Sequence, residues 1–427
     1  ATGKLSHVKD YTIRTVNGKR IGFVGALTDA LGSVSTPQIT EDADLSERAV
    51  DALNRVAGEL KRSGKVDAVV ALLHADASAA TGLGRDVDLV YTGHTHAVKQ
   101  GVTDGGAPIY EAGSFGQNMA VQDLIITGHG RHAKVQVADV NLGNGTEATA
   151  VPGVLNVEGL DAHPRQAAWM SAGVVSNGSV ARSRQLYTKA NYAASAGNAV
   201  IGTLAPGTNF DKRTSVGHEG SVGMLVADAN RESIMRNVYA GTRLPVVGFS
   251  NDGSLRTKQL DMDEDGKVTI REVDSLMALQ FHAAHETLTG LGLKAVLAQQ
   301  FHRNDDGELE HRWLGISSNV RYRYVQCGDG GATCTLGDSD GNGNQHTGVK
   351  ATVGIVDLTI DGRPIADDDL VIIASNSYLL QGGDNYSAFR AGSNYGELEM
   401  SYNQPLHEYL AAHPKLSAAV PETGTRA

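Results

Sequence analysis

VDAVVALLH at residues 66–74 and VDLVYTGHTH at residues 87–96 are two apolar runs, and both finish in histidine. Runs of this length, rich in valine and leucine, read as strands buried on both faces. KRIGFVGAL at 19–27 reads as a third. Between this strand and the 66–74 run, Leu45, Ala49, Val50, Leu53, Val56, Ala57 and Leu60 recur at helical spacing. Ser46 is placed to cap that helix and Gly64 to stop it. Strand–helix–strand order predicts an α/β layered domain. APIYEAG, AVQDLIITG and HAKVQVADVNL follow as shorter strands, expected to be antiparallel and to complete the sheet by residue 143.

The chain has 427 residues, which predicts two domains. The expected division is a first domain at 1–150, a linker at 151–184 and a second α/β domain at 185–427. A net charge of −11 argues against a partner that is a nucleic-acid polymer, because neutralising many phosphates takes a basic surface. A local basic pocket for one small phosphate ester is compatible with that charge. No run of eighteen apolar residues is present, so no membrane-spanning segment is expected. Cys327 and Cys334 are the only cysteines, with GDGGAT between them. They read either as a disulfide across a small loop, which implies an oxidising, exported setting, or as two free thiols. The terminal PETGTRA resembles a wall-sorting signal, but Val420 stands at its first position and no apolar tail follows.

His74 ends one predicted strand, and His94 and His96 end the next. Ligands of open α/β sheets gather at the carboxyl ends of strands. Neutral imidazoles brought to one edge suit Zn²⁺ or a similar ion. In a His-x-His pair the two rings can address two adjacent ions. A second pattern, DMDEDGKVTIRE at 261–272, fits the twelve-residue calcium loop. Asp261, Asp263 and Asp265 take positions 1, 3 and 5, Gly266 makes the turn, Lys267 offers its carbonyl, and Glu272 stands at position 12. Asp338, Asp340, Asn342 and Asn344 alternate in the same way without a terminal acid and read as a loop.

Together these stretches resemble the 5′-nucleotidase family. VVALLHADA, DLVYTGHTH and PIYEAGSFGQNM are similar to the second half of its metallophosphoesterase domain. HEGSVGMLVADA resembles the opening of its substrate domain, SNDGSLR its Asn-Gly-Gly-Gly-Ile-Arg loop, and LVIIASNSYLLQGGDNYSAF its Asn-Ser-Phe-Leu…Gly-Gly-Asp-Gly-Phe segment. The resemblance implies an incomplete four-layer metallophosphoesterase β-sandwich followed by an α/β C-terminal domain. It implies an exported phosphohydrolase with two divalent ions (Zn²⁺, Mn²⁺ or similar) on which His74, His94 and His96 are ligands. It places a nucleotide in the second domain, with Phe281 and Tyr378 sandwiching the base. Asp384 would accept from ribose hydroxyls, and Asn251 and Arg256 would meet ribose and phosphate. Gly382 and Gly383 would allow close backbone approach.

The departures from the family bear on activity. The Asp-x-His, the bridging Asp and the Asn-His-Asp/Glu segment that open its metal site do not precede KRIGFVGAL. The expected catalytic His and Asp would thus fall before the first residue, so an N-terminally incomplete or mis-started chain is expected. The family's Pro-Phe-Gly-Asn/Gly stretch appears as Gln280-Phe281-His282-Ala283, and an arginine expected near His218 is absent, with Lys212 or Arg213 as substitutes. Alternatives are a non-catalytic nucleotide-binding or calcium-dependent surface protein, and a hydrolase of UDP-sugars or cyclic nucleotides.

Overall fold

The computed structural model describes residues 8–36, 45–114, 118–139, 151–156, 197–212, 220–303, 309–326, 334–335 and 350–417. The chain divides into two compact units, one of residues 1–32 and 38–184 and one of residues 33–37 and 185–427. The architecture is mixed α/β.

The first unit holds a six-stranded sheet in the order Tyr11–Val16, Lys19–Leu27, Ala68–His74, Leu89–Thr92, Pro108–Ala112, Val98–Val102. The four inner strands run parallel, and the two outer ones are antiparallel to their neighbours. Parallel strands are buried on both faces, which is why the deciding runs are continuously apolar. On one face Leu53, Val56, Ala57 and Leu60 of the helix Ala49–Arg62 meet Val69, Ala71 and Leu73. On the other, Val70, Leu89, Tyr110 and Val154 form a second cluster, with Leu124 and Val137 packed against it.

Several local expectations need correction. Ser46 does not cap the helix: Arg48 is the N-cap residue and makes no side-chain cap bond, and the Ala49 amide donates to Asp29 Oδ1 at 2.7 Å. The Pro108–Ala112 strand is antiparallel to Val98–Val102, as expected, but on its other side it joins the sheet parallel to Leu89–Thr92. The intervening Val98–Val102 strand returns the chain, so local alternation could not reveal that direction. Gln122–Thr127 and Lys134–Asp139 pair with each other as a separate ribbon. Residues 151–156 begin the expected linker, but Val154–Asn156 pairs with Asn118–Ala120 in this unit. The bulk of that linker, 157–184, and the cysteine pairing lie outside the described residues and side chains.

The second unit is built on a five-stranded sheet ordered Leu314–Ile316, Val246–Asn251, Leu370–Asn376, His282–Thr289, Ser393–Ser401. Val246–Asn251 and Leu370–Asn376 are parallel neighbours, so both end at the same edge. The helix Ser221–Asn237 lies against this sheet at backbone range. A Cβ on Gly248 would stand 1.8 Å from the Ala227 carbonyl oxygen, so only glycine fits there. A small sheet of Lys267–Thr269, Val200–Leu204 and Lys415–Leu416 flanks a second cluster that includes Val268, Val273, Leu276 and Tyr402. Among the described residues no helix is long and apolar enough to cross a membrane.

Glu286 sits in the middle of His282–Thr289, 2 % exposed, and its Oε1 has no hydrogen-bond partner. Burial pushes its carboxyl up to about 9. The folded chain therefore keeps a proton that the unfolded chain releases near the ordinary glutamate value. This contribution to stability is fully present below about pH 4.5 and is lost as pH rises towards 9. Glu286→Gln removes that dependence. The variant should be more stable than the parent at pH 8, by roughly 5 kcal/mol and with a higher melting temperature, and match it near pH 4. Parallel melting curves for the two chains between pH 4 and 9 would refute the buried proton.

Candidate nucleoside site and imidazole pair

In the second unit the two parallel strand ends carry Asn251 and Asn376, both buried. The Asn376 Nδ2 donates to Asn251 Oδ1 at 3.0 Å, and its own Oδ1 caps the turn Ser377–Leu380 by accepting from the Leu379 amide at 2.8 Å. Asn251 Nδ2 then donates to Asp384 Oδ2 at 2.7 Å. Asp384 follows Gly382 and Gly383, and both it and Gly382 have left-handed backbone, with φ of 52° and 87°. A non-glycine residue held in that region is strained, and such strain clusters at functional sites.

The Tyr378 hydroxyl donates to Asp384 Oδ1 at 2.7 Å. Burial, then the nearby Asp384 charge, raises the Tyr378 phenol well above its ordinary value, so it stays protonated as a donor. Its ring lies on Gly383, where a Cβ would stand 2.4 Å from a ring carbon. Phe281 stacks on Tyr378, with centroids 5.1 Å apart and planes 8° from parallel. A base between them would need planes about 7 Å apart, two stacking spacings of roughly 3.4 Å. The two rings thus face each other but must part by about 2 Å or more to admit one.

Arg256 is half-buried and donates from Nη1 to the Gly253 carbonyl at 3.1 Å, while its amide donates to Leu276 O at 2.7 Å. Lys212 Nζ lies 3.9 Å from Asp252 Oδ2, next to Asn251. Arg213 and His218 lie outside the described residues. Two residues were missed in the sequence. Arg312 donates from Nη1 to the Asp384 carbonyl at 2.8 Å, and Asn376 ties the two strand ends together. HRWLG gives no local sign of the first, whereas Asn376 stands in the quoted ASNSYLLQGGD segment. Asp261, Asp263, Asp265, Lys267 and Glu272 lie in a separate loop, which leads into the helix Ile270–Leu276.

In the first unit, His74 and His94 come together at the carboxyl edge of the sheet, with ring centroids 5.1 Å apart and edge-on. His94 and His96 both have left-handed backbone, with φ of 82° and 60°. The Thr95 hydroxyl, between them, lies 2.6 Å from Glu111 Oε1 and 3.1 Å from Asp76 Oδ2. Glu111 is fully buried and its Oε2 has no partner. Asp76 also accepts from Lys99 at 2.5 Å and from the Ser78 amide. The Lys99 bond, then those from Ser78, hold its carboxyl far below the usual range. Neither Glu111 nor Asp76 was singled out in the sequence. The described donors do not fit a dinuclear centre: no three His, Cys, Asp or Glu side chains among them converge to hold an ion. The nearby carboxylates instead brace the GHTH turn.

The second unit thus brings a ring pair, a glycine turn and a carboxylate held by a buried asparagine to one sheet edge. Residues 200–391 match the model of the 5′-nucleotidase C-terminal domain family. The fold is that of solved 5′-nucleotidases. A 5′-nucleotidase precursor from Thermus thermophilus superposes with a TM-score of 0.56 at 16% identity, covering 96% of this chain and 73% of that one. A putative 5′-nucleotidase from Staphylococcus aureus gives 0.51 at 14% identity, covering 97% and 74%. A sulfate thiohydrolase from Thermus thermophilus gives 0.50 at 16%, covering 97% and 64%, so one fold serves different substrates. An endonuclease from Bacillus subtilis is 29% identical over 128 residues, which make up 27% of this chain and 10% of that protein.

Gly383→Ala should displace the Tyr378 ring, because the added methyl meets it well inside contact distance. A loss of about 1–3 kcal/mol of stability is expected, together with altered tyrosine fluorescence. A variant indistinguishable from the parent in both would refute the packing of this ring on the turn.

Proposed function

We propose that this chain binds nucleoside 5′-phosphates and belongs to the machinery that hydrolyses them. The observation that carries this reading is the parallel Phe281–Tyr378 ring pair, set beside a carboxylate that Asn251 orients. Aromatic faces stack with any base, which suits a site that must hold the nucleoside while the ester reacts elsewhere. An ionised carboxylate has about four lone-pair sites. Asp384 uses one oxygen for Tyr378 and the other for Asn251, which leaves acceptor capacity for the two ribose hydroxyls. Arg256, a planar and permanently charged fork, is the group assigned to the phosphate, with Asn251 at the ribose. Gly382 and Gly383 let the backbone approach the ligand.

Two divalent ions of Zn²⁺ or Mn²⁺ type are part of the same proposal for the reaction, with His74, His94 and His96 as the candidate ligands. The described donors fall short of that centre, so it would need further ligands. An exported setting goes with it, supported by the closely spaced Cys327 and Cys334. A second reading is that the chain binds nucleotide without turnover.

Calorimetry with AMP tests the pocket, and phosphate release with added Mn²⁺ or Zn²⁺ tests turnover. Tyr378→Ala should weaken AMP binding by about 1–3 kcal/mol. Unchanged affinity would remove Tyr378 from the site. Tight binding with no phosphate released would select the second reading. UDP-sugars and cyclic nucleotides in the same assay would separate the leaving groups that one base pocket can serve.

A further inference from the structure

The acidic loop 261–272 has no part in the nucleotide reading, yet its sequence follows the calcium-loop pattern and its first carboxylate is buried with one oxygen unpaired. Asp261 at position 1 is 2 % exposed. Its Oδ2 accepts from the Gly266 amide at 2.7 Å, which turns the carboxylate into the loop, and its Oδ1 has no partner at all. A buried carboxylate oxygen without a donor costs free energy unless something satisfies it. Glu264 and Gly266 are left-handed, with φ of 55° and 75°, and produce the sharp reversal that such a loop requires. Lys267–Thr269 then forms a short strand against Val200–Leu204, and Thr269 caps the helix Ile270–Leu276. Glu272, at position 12, is buried and reaches back to the loop's opening, where its Oε1 accepts from the amides of Met262 and Asp263, while its Oε2 accepts from the Thr269 amide and hydroxyl in a capping box. The first and last acidic positions of the motif are therefore both buried and both turned into the same loop.

We infer that residues 261–272 bind one Ca²⁺, with Asp261, Asp263, Asp265, the Lys267 carbonyl and Glu272 as protein ligands. In the present conformation no three of these carboxylates converge. Asp263 is held by Arg271 at 2.6 Å and Asp265 by Lys267 at 3.2 Å, while Glu272 is engaged through both oxygens by the Met262 and Asp263 amides and by Thr269. Both pairs are substantially exposed, and exposed pairs of this kind are weak. A divalent cation competes with them directly. The oxygen-only donor set favours Ca²⁺ over Mg²⁺, which demands a tighter octahedron and gives up water reluctantly.

The consequence reaches beyond the loop. Val268, Val273, Leu276 and Met277 are core members of the cluster on which Phe281 packs. The Leu276 carbonyl also accepts from the Arg256 amide. Ca²⁺ would thus fix the strand and helix that frame Phe281 and Arg256. The ion site rests on the loop itself and stands even if AMP is neither bound nor hydrolysed.

The test is calorimetric titration of the full chain with CaCl₂ after chelator treatment, with MgCl₂ as control. One Ca²⁺ per chain is expected, with Kd of roughly 0.1–1 mM, together with a melting temperature raised by a few degrees and a much weaker response to Mg²⁺. Asp261→Asn should abolish the binding. Because that residue is buried, the exposed pair Asp263→Asn with Asp265→Asn provides a variant that keeps the fold, and it should weaken binding tenfold or more. Hydrogen exchange across 261–277 should slow on adding Ca²⁺ in the parent only. No binding by the parent up to about 10 mM Ca²⁺, or undiminished binding by the folded double variant, would overturn the inference.

Discussion

The hydrogen bond from Asn251 to Asp384, 2.7 Å long and anchored at the end of a fully buried strand, sets the geometry of the candidate ligand site. Asn251 cannot turn freely, because its other end accepts from Asn376 on the neighbouring strand. Asn376 in turn caps the helical turn that carries Tyr378. Two parallel strands thus end in a chain of side-chain amides that fixes a carboxylate and a ring together. Such a network, buried and paired, is stiff, and each member is costly to remove. The left-handed Asp384 is sustained by it: the backbone carbonyl is held by Arg312 and both side-chain oxygens are engaged.

The two units differ in how their polar edges are finished. In the second, the carboxylate faces ring and asparagine donors that leave it acceptor capacity. In the first, Asp76 and one oxygen of Glu111 are spent on Thr95, Lys99 and backbone amides, and so hold the shape of the GHTH turn. His74 and His94 are left edge to edge at the sheet's end. Left-handed φ at His94 and His96 is the backbone cost of placing imidazoles on so tight a turn, and Glu111 is the buried post that supports it.

Much of this was legible in the sequence, and the exceptions have physical causes. KRIGFVGAL is a strand over its whole length, although only Gly22 and Val24 of it are buried and Leu27 is exposed. GHTH was read as the end of a strand, but the strand stops at Thr92 and the histidines occupy a turn. PIYEAG gives no sign of its direction, since parallel pairing depends on a crossover and not on its own residues. Phe281 and Tyr378 were found because they sit in recognisable segments 97 positions apart. Arg312 and Glu111 were not, because their roles come from one backbone carbonyl and one turn that only the folded chain brings near. Their side chains have no local pattern to betray them.

The closed ring pair raises the question of which ring yields. Tyr378 is fixed on three sides, by Gly383 beneath it, by Asp384 at its hydroxyl and by the capped turn that bears it. Phe281 stands in the short connection between the helix Ile270–Leu276 and the strand His282–Thr289, with its backbone held by Leu279 and Tyr402 but its ring only partly buried. Rotation of the Phe281 side chain is therefore the cheaper opening. An aromatic pair is worth about 0.5–1.5 kcal/mol beyond its buried area. A base stacked on aromatic side chains returns about 1–3 kcal/mol, so insertion offsets the broken contact even before the sugar and phosphate are counted. In the proposed binding mode a self-stacked pair of this kind would exchange one stack for two on taking up a base. That exchange makes the position of Phe281, and the packing frame behind it, the adjustable part of an otherwise rigid site.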